Sequence, residues 1–308
     1  MTANTETPAQ PISKLDARVL AWTAAILGDE VTVERGLREG GSPWLVSAGD
    51  ASAVLRVASP DDSERLAAEV TALRAAANAG LPVPEVLGHD GSTATGFALV
   101  LTNLLPGSSH IPAQPDTRRL RAMGAIAARI SAVDPGPASG LAARRGPIED
   151  FPWARLRQER GAPPVVLRAE TVAASTEPED NRTALTHGDL WGGNTLWEDN
   201  GSLSAVLDWD AAGIGSPGID LGSARIDAAL CYGLDTVAEV QSAWEDEAGR
   251  PAPDVPYWDL VAALATPPDM AWVARTIADQ GRPDLTGDML NERREAFLRA
   301  ALSELDPR

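Results

Sequence analysis

Residues 186–210, THGDLWGGNTLWEDNGSLSAVLDWD, contain Asp189, Asn194 five positions on, and an aspartate pair, Asp208 and Asp210. Carboxylate and carboxamide oxygens are hard donors. They suit Mg2+, which takes one or two protein carboxylates and completes its shell with water and substrate phosphates. The residues between them argue that they meet. Thr195-Leu196-Trp197 and 203–207 are short apolar runs, and Asn200-Gly201 between them is a strong hairpin signal. Counting back from a turn centred on Asn200-Gly201 puts position 194 opposite 207 and 193 opposite 208. Asn194 and Asp208 then share the open end of one hairpin, close enough to hold one ion, and Asp189 lies on the loop leading in.

An Asp, an Asn after four intervening residues and a second Asp on the next strand form the kinase pattern of catalytic loop and metal-binding aspartate. The variant here, His187-Gly188-Asp189 with Asn194 and then Asp208-Trp209-Asp210, resembles the aminoglycoside phosphotransferase family. Macrolide, choline, homoserine and fructosamine kinases belong to the same superfamily. Either triplet alone arises by chance; both together at this separation, with a hairpin between, favour the kinase reading. The resemblance implies that Asp189 accepts the proton of a substrate hydroxyl and that Asn194 and Asp208 hold Mg2+. It gives His187 a bracing role and Asp210 a supporting one.

Those groups need elements to position them. Residues 14–27 carry apolar side chains at helical spacing, Leu15, Val19, Trp22 and Ile26. Three β-type runs follow, 31–37, 44–47 and 53–57, with glycine turns at Gly40-Gly41-Ser42 and Gly49-Asp50. In the kinase order, Gly41 and Ser42 belong to a loop whose backbone N–H groups cover the nucleotide phosphates. The alternative is a plain hairpin turn. A kinase normally grips those phosphates with a lysine on its third strand, but Lys14 is the only lysine in the chain. Arg56, on the third run, stands at that position. From 63 the chain reads as helical, SERLAAEVTALRAAANAG with Gly80 as stop signal, and places Glu69 thirteen residues beyond Arg56, where the resemblance implies an ion-pair partner; Glu64 competes for that role.

Residues 81–88 lead to a fourth strand, and 96–101, GFALVL, read as a fifth. The segment 102–107 resembles the family's hinge, with the backbone of Thr102 and Leu104 meeting the adenine. Beyond it the chain reads as mostly helical: 116–133, then pieces near 150–160 and 166–174, a loop over 213–220, and helices at 220–231, 235–248, 257–265, 269–280 and 289–304. Their inner faces would wall an acceptor pocket, in which Asp227, Asp235, Glu239 and Glu245 are candidate contacts for a cationic substrate. A solvated helix face accounts for each equally well. Asp220 matches the family aspartate that braces the catalytic loop.

The fold expected is α+β and two-lobed, protein-kinase-like, with an antiparallel-sheet N-lobe and a mostly helical C-lobe. Its parts are a disordered tail at 1–13, a nucleotide-binding lobe at 14–104 and a catalytic, substrate-binding lobe at 105–308. A length of 308 residues exceeds what one core usually fills. The 44 acidic residues outnumber 26 basic ones, for a net charge of −18, which argues against a nucleic-acid partner. It is compatible with a cationic substrate and equally with simple solubility. One cysteine, Cys231, leaves no internal disulfide framework and fits a cytoplasmic protein. No apolar run suits a membrane span.

The activity expected is Mg2+-dependent transfer of phosphate from ATP or GTP to a small hydroxylated molecule, by a monomer or homodimer. An aminoglycoside or macrolide antibiotic, with a role in resistance, or an amino sugar is in range. His187–Asn194 is close to the wording of fructosamine kinases, a metabolite-kinase alternative. Two others are a nucleotide-binding pseudokinase, which the missing strand lysine favours, and a metal-dependent hydrolase using the same carboxylates.

Overall fold

The computed structural model describes residues 15–38, 41–136, 139–149 and 151–305. The tail, with Lys14, and Gly40 of the first glycine turn lie outside the described residues. The chain divides into two units, Met1–Arg74 with Pro84–Leu105, and Ala75–Val83 with Pro106–Arg308.

In the first unit, α1 (Ala17–Leu27) starts where the Asp16 carboxylate accepts the Arg18 N–H at 2.8 Å, satisfying one orphan donor of the first turn. The β-type runs form β1 (Thr32–Arg38), β2 (Gly41–Ala48) and β3 (Ala51–Ala58). Gly41 and Ser42 open β2 rather than lying in the turn. Then come α2 (Ser63–Asn78), β4 (Val86–Gly91) and β5 (Ala98–Asn103). The sheet is antiparallel, in the order β1-β2-β3-β5-β4. Side chains alternate across it. Ala53, Leu55, Leu99 and Leu101 pack with Val19, Trp44 and Val46 on one face. Ala98 and Val100 pack with Leu66 and Val70 of α2 on the other. Burial on both faces explains why β5 reads as an unbroken apolar run.

The second unit is mostly helical: α3 (Thr117–Ser131), α4 (Trp153–Arg160) and α5 (Pro164–Ser175), then α6 (Gly218–Tyr232), α7 (Val237–Ala248), α8 (Val255–Leu264), α9 (Ala271–Asp279) and α10 (Gly287–Leu305). Nearly every residue of α6 is buried, against α3, α7, α8 and α10. Its Arg225 forms a two-pronged pair with Asp259 of α8, both bonds at 2.8 Å, so neither buried charge lacks a counter-charge. Between α5 and α6 lie two small hairpin-like pairs. One is β6 (Ala184–Thr186) with β9 (Gly213–Gly215); the other is β7 (Thr195–Trp197) with β8 (Leu203–Val206). The span 213–220, expected as loop, therefore holds a strand and the first turn of α6. β7 is as short but is flagged by the Asn200-Gly201 turn signal; a three-residue strand with no such signal beside it carries too little alternation to show in a sequence. No helix among the described residues is long and apolar enough to cross a membrane.

Candidate active site

The β7–β8 hairpin brings the polar cluster together, by a turn different from the one expected. Glu198 N–H donates to Ser202 O and Gly201 N–H to Glu198 O, both at 2.9 Å, closing a three-residue loop. A two-residue turn of the predicted kind needs positive φ at both central positions. Here Gly201 has φ 86, whereas the Asn200 side chain accepts the Ser202 N–H at 2.7 Å and favours the wider turn. The extra residue is absorbed by an irregularity between Leu196 and Trp197, and the register below it is as counted: Leu196↔Ala205, Thr195↔Val206. At the open end Leu207 N–H donates to Asn194 O at 2.8 Å. Asp208 follows, held in the left-handed region at φ 62, ψ 63. A non-glycine residue there costs roughly 1 kcal/mol or more, least for Asp and Asn.

β6 delivers the loop that carries Asp189. His187 is fully buried; its Nε2 lies 2.8 Å from Leu207 O, and Nδ1 accepts Asp189 N–H at 3.2 Å. Those partners assign the ring proton to Nε2. The ring meets Trp209 edge-on, and the indole N–H of Trp209 donates to Val206 O at 3.1 Å. Trp209, to which sequence reasoning gave no role, thus packs the hairpin end against the loop. Asp220 at the start of α6 accepts the N–H groups of His187 at 2.7 Å and Gly188 at 2.9 Å, the bracing contact expected of it. Gly188 has φ +81, and a Cβ there would lie 2.2 Å from Ala211 O, so both conformation and space require glycine.

Asn194 ties the two halves together. Its Nδ2 donates to Asp189 O and Asp189 Oδ2, both at 2.9 Å. With Nδ2 so committed, Oδ1 is the atom of this amide that could bind a cation. Burial pushes the Asp189 carboxyl up to about 6, and the negative charges of Asp208 and Asp210 add to that shift, while the Asn194 bond opposes it.

In the first unit, Arg56 sits on β3, an interior strand, on the face that meets α2. Its Nη1 lies 3.0 Å from both carboxylate oxygens of Glu69, which is buried, whereas Glu64 is exposed. The Ser42 hydroxyl bridges to β3, accepting Val57 N–H and donating to Val57 O at 3.1 Å each. It therefore continues the β2–β3 ladder with its side chain. Thr102 lies in the ladder opposite both Val54 and Val86, and Leu104, just past β5, is 45% exposed.

A small, partly open pocket lies in the second unit, lined by Ile111, Leu120, Met123, Trp197 and Tyr232 together with Asp116, Arg119, Gly192 and Asp227. Asp227 is the acid of the four candidates that reaches it. Asp235 is exposed, Glu239 meets Arg121 at 3.5 Å, and Glu245 accepts Gln241 Nε2 at 3.0 Å. Asp227 also accepts Gly192 N–H at 3.0 Å, a contact not read from the sequence, and burial raises its carboxyl to about 6.

The donors fit a hard divalent cation. Asp208 supplies a carboxylate and Asn194 a carboxamide oxygen, both favoured by Mg2+ over softer metals. No group of three or more His, Cys, Asp or Glu among the described residues could hold a metal by itself. An Asp–Asn pair could hold Mg2+ only where substrate phosphates and water complete its shell, as Mg2+ sites with few protein ligands do.

The pattern of the phosphotransferase enzyme family matches residues 34–264. Viomycin phosphotransferase of Streptomyces vinaceus is 40% identical over 85 residues, 26% of this chain and 28% of that protein. Acyl-CoA dehydrogenase family member 10 of Mus musculus is 29% identical over 168 residues, 50% of this chain and 16% of that protein. The chain thus spans well under a third of either relative. Among solved structures, macrolide 2'-phosphotransferase MphH from Brachybacterium faecium matches with a TM-score of 0.61 at 24% identity, covering 96% of this chain and 99% of that one. A thermostable mutant of aminoglycoside phosphotransferase APH(4)-Ia, in complex with ADP and hygromycin B, matches with a TM-score of 0.57 at 19% identity, covering 92% and 99%.

Proposed function

The chain belongs to the phosphotransferase enzyme family, and from that premise we propose that it transfers the γ-phosphate of ATP or GTP to a hydroxyl of a small molecule, with Mg2+ as cofactor. One observation carries the reading: Asn194 Nδ2 holds Asp189 Oδ2 at 2.9 Å at the hairpin end that also bears Asp208. That bond aims the carboxylate and leaves Oδ1 of Asp189 to take a proton. The acceptor oxygen then forms a bond to the γ-phosphorus as its proton passes to Asp189 Oδ1, and the bond from that phosphorus to the β–γ bridging oxygen breaks. Mg2+, when bound at Asn194 and Asp208, supplies charge neutralisation on the phosphate oxygens. The chain's own part is to orient the base, hold the loop and present donors, so catalysis is positioning and electrostatics.

The pocket beside Gly192 supports a small acceptor with an apolar face. An aminoglycoside or macrolide antibiotic, or an amino sugar, is the class we favour, since viomycin phosphotransferase and the hygromycin B complex are among the similar proteins. Nucleotide consumption, followed with ATP and with GTP across a panel of hydroxylated antibiotics and sugars, tests the reading. The expected result is Mg2+-dependent ADP or GDP formation that requires one acceptor. Release of phosphate without any acceptor indicates a hydrolase instead, and no turnover with any acceptor indicates a nucleotide-binding protein without transfer.

In this reading Arg56 replaces the usual strand lysine as the phosphate clamp, with Glu69 as its partner and the Gly41–Ser42 segment and the backbone of Thr102 and Leu104 as further nucleotide contacts. Arginine's planar fork can hold a carboxylate and phosphate oxygens together. Arg56→Ala is expected to raise the nucleotide KM and lower kcat, reducing kcat/KM roughly 10–100-fold, the value of a charge-assisted hydrogen bond. Glu69→Ala acts in the same direction more weakly, and the double variant falls short of the sum, because the two side chains act as one unit. Steady-state kinetics on all three variants checks this; wild-type nucleotide constants for Arg56→Ala remove the clamp from the proposal.

A further inference from the structure

Helix α6 bears two aspartates that both accept main-chain N–H groups from the loop carrying Asp189. Asp220 takes His187 and Gly188 at the loop's entry, and Asp227 Oδ2 takes Gly192 at its exit, 3.0 Å away. Seven residues are almost two helical turns, so the carboxylates share one face, roughly 10 Å apart along the axis. Ala224 lies between them on that face and is 1% exposed, a side chain small enough for the loop to lie close.

The second contact matters because of what Gly192 begins. Residues Gly192–Asn194 form a tight 3-10 turn, in which Asn194 N–H donates to Trp191 O at 3.0 Å and Thr195 Oγ1 donates to Gly192 O at 2.7 Å. The Asn194 amide, which orients Asp189, therefore hangs from a turn whose first N–H is held by Asp227.

We infer that Asp227 is a positioning residue: with Asp220 it clamps the loop 187–192 at both ends to one helix, and through Gly192 it sets the Asn194 side chain for the reaction. The catalytic half of this inference rests on the phosphotransferase reading above; the clamp itself does not. A carboxylate that serves only as pocket wall predicts something different, an effect confined to the acceptor. Burial of this group raises its carboxyl to about 6, a cost offset in part by the Gly192 bond.

Two variants separate these roles. Asp227→Asn keeps an acceptor oxygen for Gly192 N–H; Asp227→Leu keeps the bulk and removes it. Amide hydrogen exchange over 188–194 is expected to be slow in the wild type and in Asp227→Asn, and faster in Asp227→Leu. With an acceptor identified, Asp227→Leu is expected to lower kcat roughly 10–100-fold and to raise the Mg2+ concentration for half activation, as loss of a group that orients a metal ligand does. Asp227→Asn should recover most of both. A wild-type Gly192 amide that exchanges as fast as an unbonded one overturns the clamp without any variant, which covers the case of Asp227→Leu failing to fold. A change in acceptor KM alone, with kcat and the Mg2+ midpoint unmoved, overturns the positioning role. A wild type that consumes no nucleotide overturns the phosphotransferase reading and the catalytic half with it, whereas the exchange experiment still decides the clamp.

Discussion

Asp189→Asn is expected to yield a folded protein that binds Mg-nucleotide and no longer transfers phosphate, with kcat reduced ~10²–10⁴-fold, the usual contribution of a general base. The fold should persist because the loop is held by other atoms. Asp189 N–H goes to His187 Nδ1, and its carbonyl accepts from Asn194, neither of which involves the carboxylate. An asparagine at 189 still offers a side-chain oxygen to Asn194 Nδ2 in place of Oδ2. What it lacks is an oxygen able to take up a proton. Burial holds the wild-type carboxyl at about 6 in the protein alone, so the group is a stronger base than an exposed aspartate yet still mostly ionised at neutral pH. Nucleotide binding by calorimetry alongside single-turnover transfer separates the two effects. Turnover near the wild-type rate removes Asp189 from the role of base.

The second large effect is expected at Asp208. Asp208→Asn removes the one formal charge of the metal pair while leaving the backbone undisturbed, because asparagine is, after glycine, the residue that best tolerates the left-handed conformation found there, φ 62, ψ 63. Alanine at this position would confound lost charge with strain. The expected outcome is a rise of at least about 10-fold in the Mg2+ concentration for half activation, or roughly 1.4 kcal/mol, with a matching loss of kcat/KM at fixed Mg2+. Asn194→Ala should raise it less through lost coordination, while also releasing Asp189 from its 2.9 Å bond and so lowering kcat at saturating Mg2+. Activity titrated against Mg2+ for both variants is the measurement. An unchanged midpoint in Asp208→Asn means that the ion is held elsewhere.

Much of this site was legible in the residues alone, wherever its geometry is a matter of local period. Strand side chains alternate with period two and helix side chains recur every 3.6 residues. Counting along 194–208 therefore set Asn194 opposite Leu207, and the β7–β8 register agrees even though the turn itself has one more residue than expected. The family resemblance paired Arg56 with Glu69, and the apolar run 96–101 read as a strand; the two side chains do meet, and the strand, Ala98–Asn103, is buried on both faces. The type of the longer elements followed from sequence pattern, and the polar cluster from pattern together with the family resemblance.

Beyond the Asp220 brace, which the family resemblance implied, tertiary structure decided what holds the cluster still. β6 and β9 pair across 27 residues with three residues each, too few to show a period. Asp220 and Asp227 grip the loop 33 and 35 residues upstream, and in both cases the donor is a main-chain N–H. Every residue except proline carries that group, so the loop's side of each bond leaves no mark in the sequence. The left-handed backbone of Asp208 and the close approach of Gly188 to Ala211 are likewise set by chain packing rather than by residue type at either position. A sequence names the groups that can do chemistry, because side chains differ; the backbone contacts that aim them are chemically uniform, and only the folded chain shows which of them form.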